Sequence, residues 1–398
     1  MDIRNDFSIG KYFTFDPSKD KPVYNWFYYK EAFSPEVVDY VINRYIPNPN
    51  SVYDPFCGAG TTMLRAKELG MNGFSVDSSP LAVFVSRVKC ANYSNEDILE
   101  IERAIAEMSE KTENKNTERN QKIDWQFELF PPERAFPPSN LNALLSIRNA
   151  LESVENEKAA NFLMVALLSI MPQTSLIIKD GGVLKVDKKK RTMPTKEAFR
   201  KKVKAMLADA KSMARNGNSI PAIERTVPDI RLGDSRATDF ESESADLIVT
   251  SPPYLNNIDY SKVYGLELSL LGLDKRITLE TRNRSVRSFI TSSAYDKGEL
   301  PTEVQEFADK IPIVGSYFSD MNLVLKEMHR ILKPNGVAGF VVGNSVIHET
   351  HILVDEIIGE MAEKLGFECE IVVGLERIAD VRPAKVKSRE SMIVMKKQ

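Results

Sequence analysis

The sequence predicts an α/β fold: a doubly wound, mostly parallel sheet with an antiparallel last strand and a mainly helical insertion. Three observations carry this. Strand, glycine turn and helix follow one another from Ser51 to Leu69; a second strand and helix run from Gly73 to Lys89; and strand and helix patterns alternate again from Ile230 onward. Strands alternating with helices of this length form parallel βαβ units, which bind ligands at the carboxyl ends of their strands.

Taken in order, Ser34-Pro35-Glu36 reads as an N-cap with proline at the first helical position, starting a helix from Pro35 to about Arg44. Ser51-Val52-Tyr53 is a short buried strand, Asp54-Pro55 and the glycines interrupt it, and Thr61 to Leu69 has helical spacing ended by Gly70. Gly73 to Asp77 is a strand closing on a carboxylate, and Pro80 to Lys89 a helix. From Asn92 to Pro228 the pattern is helical, with a hydrophilic stretch at Lys111 to Lys122 and no second half of a sheet. The sheet resumes at Ile230 to Asp234 and Ala245 to Val249. Lys275 to Asp309 is polar and reads as a mobile loop. Then come a helix (Tyr317 to Leu332), a turn (Lys333 to Gly336), a strand (Val337 to Gly343), a helix (Ile352 to Leu365) and two strands, Phe367 to Val373 and Ser391 to Met395, able to pair antiparallel. The expected division is therefore a catalytic domain at residues 1–91 and 229–398, an insertion at 92–228, and a mobile loop region at 275–312.

A chain of 398 residues, 42% hydrophobic and 27% charged, buries a sizeable core. It has no run of eighteen apolar residues and opens on polar residues, so neither a membrane span nor a secretory signal is expected, and a cytoplasmic location is. Cys57, Cys90 and Cys369 are too scattered for a disulfide framework or a zinc site, and no metal is expected. The net charge of -3 hides a local excess: Lys185 to Arg215 carries twelve Lys or Arg against Asp187, Glu197 and Asp209.

Two segments carry chemistry. In Asp54-Pro55-Phe56-Cys57-Gly58-Ala59-Gly60-Thr61-Thr62, small residues let the backbone approach a ligand at a helix N-terminus. Asp77, with Ser78 beside it, ends the next strand, where a carboxylate accepts both hydroxyls of a ribose. Together these describe an adenosine-containing cofactor; no Gly-Lys-Ser/Thr follows, which excludes a P-loop. A lone glycine turn most often just caps a helix; Asp77 shifts the balance. The second segment, Ser251-Pro252-Pro253-Tyr254, follows an apolar strand and so lies at the same sheet edge. Its prolines stiffen the turn and aim carbonyls outward, Ser251 adds an acceptor for amino hydrogens, and Tyr254 offers a ring to a base removed from its stack. Alone, it is as readily a plain proline turn with a packed tyrosine.

On these residues the chain resembles the amino-methyltransferases of DNA, the N4-cytosine and N6-adenine group, with a Rossmann-like sheet and S-adenosylmethionine as cofactor. Asp54 to Thr62 resembles their cofactor turn, and Ser251 to Tyr254 their [S/D/N]-P-P-[Y/F] catalytic motif. The resemblance implies that Phe33 and Ser34 lie against the methionine end of the cofactor, that Phe56, Cys57, Gly58, Gly60, Thr61 and Ser78 surround it, that Asp77 holds the ribose, and that Asp234 sits near the adenine amino group. Serine at the first catalytic position resembles the N4-cytosine enzymes more than the adenine ones. The resemblance covers roughly residues 24–90 and 228–396.

One departure bears on target recognition: many relatives with this kind of turn place the catalytic motif first, whereas here the turn comes first and a long insertion separates them. The insertion is the first candidate for reading double-stranded DNA, with Lys188, Lys189, Lys190 and Arg191 as phosphate contacts. Charge runs are more often solvated faces. The rival element is the loop carrying Arg282, Arg284 and Arg287. The implied mechanism is direct attack by the exocyclic nitrogen of a flipped cytosine on the cofactor methyl, with Cys57 a packing residue rather than a nucleophile, and a restriction endonuclease is a possible partner of the system. Competing readings are N6-adenine methylation of DNA, methylation of a transfer RNA guanine at N2, and a noncatalytic DNA-binding module.

Overall fold

The computed structural model describes residues 1–113, 130–180, 182–217, 226–256, 258–273, 275–288, 300–347, 349–381 and 384–398. Its strands in chain order are β1 (Asp2–Asn5), β2 (Ser51–Asp54), β3 (Asn72–Asp77), β4 (Ile177–Asp180), β5 (Val183–Val186), β6 (Asp229–Leu232), β7 (Ala245–Thr250), β8 (Leu332–Gly343), β9 (Ser345–Ile347), β10 (Thr350–Ile352), β11 (Phe367–Val381) and β12 (Ala384–Lys397). Eight of them form one sheet in the order β1-β11-β12-β8-β7-β2-β3-β6. β8, β7, β2, β3 and β6 run parallel, and β12 is antiparallel to both β8 and β11. From β2 the chain builds outward through β3 and β6, then returns to build the other way through β7 and β8. The strand order reverses between β2 and β7, and an open α/β sheet has its crevice at that place.

Side-chain alternation divides the core in two. Val52, Leu247, Val249, Val337, Val341, Met392 and Val394 point to one face, joined by the helices Glu36–Tyr45, Thr61–Leu69 and Pro80–Cys90. Tyr53, Ile248, Phe340, Val342, Ile393 and Met395 point to the other, under the helices Pro312–Ile331 and Val354–Lys364. The insertion is helical (Asn95–Glu113, Pro138–Leu151, Glu157–Ser169, Thr195–Gly217, with two four-residue turns) and carries the small antiparallel pair β4–β5. Its buried residues, Ile101, Leu144, Phe162 and Val203 among them, belong to the first core. Trp26 seals the junction, edge-on to Phe162 and Tyr93, with its Nε1 donating to Asp209 Oδ2 at 2.9 Å.

Several expectations need correction. The span 275–312 is not simply a loop: its described residues include the helices Lys275–Arg284 and Thr302–Lys310, with Leu300, Val304 and Ile311 buried in the second core. Apolar residues that few, spaced one or two turns apart, are a weak helical signal. Residues 289–299, like 114–129, which include most of the hydrophilic stretch, lie outside the described residues. Ser34 does not cap the first helix with its side chain; its Oγ donates instead to Thr14 O at 2.7 Å, tying down the incoming segment, and the helix begins at Glu36. Lys333 to Gly336 is a bulge inside β8, with Asn335 at φ 62° and a register shift opposite Ala245 and Leu247, rather than a turn before it. The last two strands extend to Val381 and back from Ala384, so this hairpin runs past the sheet's carboxyl edge.

Candidate active site

Parallel pairing of Val52 with Leu247 and Tyr53 with Ile248 sets the ends of β2 and β7 side by side. There Thr250 Oγ1 donates to Asp54 Oδ1 at 2.6 Å, and Thr62 Oγ1, from the first turn of the next helix, donates to Val249 O at 3.0 Å. The glycine elbow and the double-proline corner are thus fastened to each other. Both open on one cavity of about 380 Å³, lined by Phe33, Asp54, Phe56, Cys57, Gly58, Thr61, Asp77 and Ser78 on one side of the junction and Ser251, Pro252, Pro253 and Tyr254 on the other. That volume is within the range of small-molecule sites.

The elbow is built by positive φ. Gly58 has φ +51° with no atom closer than 3.8 Å to where a Cβ would stand, and Gly60 has φ +78° with Ser86 Oγ 2.7 Å from that place. Gly58 therefore leaves ligand space, while Gly60 makes room for Ser86, whose Oγ donates to Gly58 O at 2.9 Å. Gly60 supports the turn from behind and does not line the cavity. Asp77 Oδ2 accepts Gly58 N–H and Oδ1 accepts Ser79 N–H, both at 2.8 Å. Burial pushes its carboxyl up to about 6, against the pull of those two donors. Asp54 is pushed up to about 6 by burial too, opposed by Thr250 and Phe56 N–H. The Cys57 thiol is raised well above its ordinary value, first by burial and then by Asp54 and Asp77, which makes it a poor nucleophile.

Other predicted residues stand elsewhere. Asp234 is bonded by Arg236, Nη2 to Oδ2 at 2.6 Å, and it is the next residue, Ser235, that lines the cavity. The basic run lies away from the cavity: Lys188, Lys189 and Arg191 are exposed, whereas Lys190 Nζ donates to Pro172 O and Ile177 O at 2.6 Å and is held by them. Arg282 and Arg284 do line the cavity, Arg284 exposed and Arg282 packed onto Ser261 Oγ at 2.8 Å and Asp259 Oδ2 at 3.1 Å. Arg287 is structural: its guanidinium and that of Arg236 converge on the buried Asp320.

Sequence reasoning missed one wall of the cavity. Tyr29 stacks on Tyr264, with centroids 4.6 Å apart and planes 9° from parallel, and Lys179 of β4 lies 3.9 Å from the Tyr264 centroid. Lys179 also pairs with the buried Glu267 at 2.9 Å, so the insertion touches this wall directly. Glu390 and Arg377, from the hairpin of β11 and β12, line the cavity as well. The only local signal for Glu390 is an acid immediately before an apolar strand.

This arrangement fits a methionine-linked adenosine: aromatic rings at Phe33 and Phe56, a carboxylate with lone pairs to spare at Asp77, and backbone exposed at Gly58. The fold and cavity define an α/β, Rossmann-like methyltransferase that uses S-adenosylmethionine. Residues 245–369 match the family model N6_N4_Mtase, described as DNA methylase. The Type II methyltransferase M.AvaI of Nostoc sp. and of Anabaena variabilis is 29% identical over 413 residues, covering 92% of this chain and 83% of the relative. M.BsoBI of Geobacillus stearothermophilus, also a Type II methyltransferase, is 25% identical over 422 residues, covering 90% and 81%. Over about nine-tenths of its length, 92% and 90% in these two comparisons, the chain is thus similar to Type II methyltransferases, and the DNA methylase match lies within that span. Among the described residues, no helix is long and apolar enough to cross a membrane.

Proposed function

We propose that the chain methylates the exocyclic N4 of a cytosine turned out of double-stranded DNA, as the modification enzyme of a restriction system. The observation that carries this reading is the single cavity shared by the Asp77 side and the Ser251 corner. The bound cofactor supplies an electrophilic methyl on a cationic sulfur. Ser251 Oγ and the Pro252 carbonyl accept the two amino hydrogens, which leaves the nitrogen lone pair aimed along the cavity. Tyr254 gives the base a ring to lie on, and these acceptors stabilise the amine as it becomes positive. Serine at the first motif position favours cytosine N4 over adenine N6, and similarity to Type II methyltransferases supports the restriction-system setting. Lys188, Lys189, Arg191 and Arg284 are proposed phosphate contacts, and the insertion the reader of sequence.

Incubation with labelled cofactor and either DNA or transfer RNA, followed by nucleoside analysis, tests this. N4-methylcytosine in DNA is expected. N6-methyladenine overturns the base assignment, label only in transfer RNA overturns the substrate, and no transfer to either overturns the enzymatic role.

A further inference from the structure

Glu390 stands in the cavity, and the reading above gives it no task. It pairs with Gly343 across β12 and β8, is only 7% exposed, and lines the same space as Ser251 and Tyr254. The lack of a side chain at Gly343 brings the two together: a Cβ there would lie 3.0 Å from Tyr254 Cε2 and 3.7 Å from Glu390 Cγ. The Tyr254 hydroxyl interacts with both Ser251 and Glu390. Burial and then Glu390 raise its pKa, whereas Ser251 lowers it. A carboxylate can only accept, so a proton passed along these three groups ends on Glu390. At the far end Glu390 Oε2 is bonded by Arg377 Nη2, and the Arg377 side chain is 57% exposed, so the acid is charge-balanced and in touch with solvent. The groups facing this corner are Arg377 on β11, Tyr254 after β7, and Tyr260 beyond it.

We propose that Ser251, Tyr254 and Glu390 form a proton relay that carries the proton shed by the methylated amine out of the cavity. The relay rests on the amino-methyl transfer proposed above. In that step the amine lone pair forms the N–C bond as the C–S bond breaks, and the electron pair of the broken bond stays on sulfur. The nitrogen, now cationic, gives one proton to Ser251 Oγ. Ser251 passes its own proton to Tyr254 Oη, and Tyr254 passes its own to Glu390, which becomes a neutral acid and returns the proton to water beside Arg377. Product amine and thioether both leave uncharged. The extra carboxylate thus belongs where the reaction must discharge a positive nitrogen.

The test is single-turnover methyl transfer to DNA at saturating cofactor, as a function of pH, for wild type, Glu390→Gln, Glu390→Asp and Tyr254→Phe. A positioned proton acceptor is worth on the order of 100-fold. Glu390→Gln should lose about that much and lose the acidic limb of the pH profile; Tyr254→Phe, which keeps the ring, should lose the same limb; Glu390→Asp should recover part of the rate. Cofactor dissociation constants from calorimetry and Tm should stay at wild-type values, which a merely structural role for Glu390 would not allow. An active wild type beside Glu390→Gln and Tyr254→Phe variants within about twofold of it, with the acidic limb intact, overturns the relay alone. A wild type that transfers nothing to DNA overturns the function and the relay together.

Discussion

Replacing Asp77 by asparagine removes a charge and one acceptor while leaving the volume unchanged. In the wild type each carboxylate oxygen takes one backbone N–H, from Gly58 and from Ser79, and keeps a lone pair for a ribose hydroxyl. Asparagine keeps one such oxygen and sets an NH2 group against a backbone donor. A hydrogen bond to a charged group is worth about 1.5–3 kcal/mol, so losing one at the ribose weakens cofactor binding by roughly 2 kcal/mol, or about 30-fold. Titration calorimetry with S-adenosylmethionine at neutral pH reads this directly. A variant within about threefold of wild type removes Asp77 from the cofactor site.

The same residue gives a pH dependence whose sign follows from its raised pKa. Burial pushes the Asp77 carboxyl up to about 6, so below that pH it is protonated and no longer accepts from both hydroxyls. Wild-type affinity should be level above pH 7 and fall by about tenfold per pH unit below 6, and the asparagine variant should not share this slope. For folding the sign is opposite. Asp54 and Asp77 hold protons in the folded state, up to about 6, that the unfolded chain has already lost near the ordinary carboxyl value of 3.8. Their contribution to the stability of the cofactor-free protein therefore rises as pH falls through that window. An affinity that is flat from about pH 5 to 8 refutes the assignment.

Tyr254→Ala should slow turnover by about 100-fold and leave cofactor affinity within threefold; normal methylation by this variant refutes the catalytic reading. Gly60→Ala places a Cβ 2.7 Å from Ser86 Oγ at φ +78°, and strain of about 1–3 kcal/mol should lower Tm by several degrees in calorimetry, where an unchanged Tm would contradict the packing described. Replacing Lys188, Lys189 and Arg191 together by alanine should reduce the slope of log K against log salt for DNA binding by about 3, roughly one per phosphate contact, and an unchanged slope excludes this run from the interface.

What was legible in the sequence was what local chemistry dictates. The elbow needs residues that tolerate positive φ, the corner needs prolines, and the strands of the sheet's centre alternate or run apolar; each leaves a mark on the residues themselves. What was not legible depends on partners far along the chain. β1 is almost wholly polar and exposed, and it becomes a strand because β11 offers an edge, with Arg4 bonded across the pair to Glu370. The outer arms of the β11–β12 hairpin are charged, so their pattern stops signalling a strand at Val373 although the ladder continues. Tyr29 gives the same lesson at the site. In a run of aromatics it looks like core packing, and only Tyr264, arriving from beyond the second motif, makes it a cavity wall. Asp234 errs the other way: its position in the chain suggested a ligand, but Arg236, two residues on, claims its carboxylate.

The topology also explains how so large an insertion coexists with an intact cavity. The insertion leaves the chain after the helix Pro80–Cys90 and returns at β6, within the crossover between two neighbouring strands on one side of the switch point. Its apolar residues extend the core on the first face of the sheet, so it adds to a layer that the helices Thr61–Leu69 and Pro80–Cys90 have already begun. The junction of β2 and β7 lies outside that crossover. The Asp54–Thr250 hydrogen bond spans 196 positions, yet its geometry depends only on the register of two adjacent strands. Length added between the motifs lengthens the connection without moving the strand ends. What it changes is the rim, where Lys179 of β4 meets Tyr264 and Glu267. A change of side chain at Lys179 therefore acts on this wall, while the ends of β2 and β7 stay held by backbone pairing.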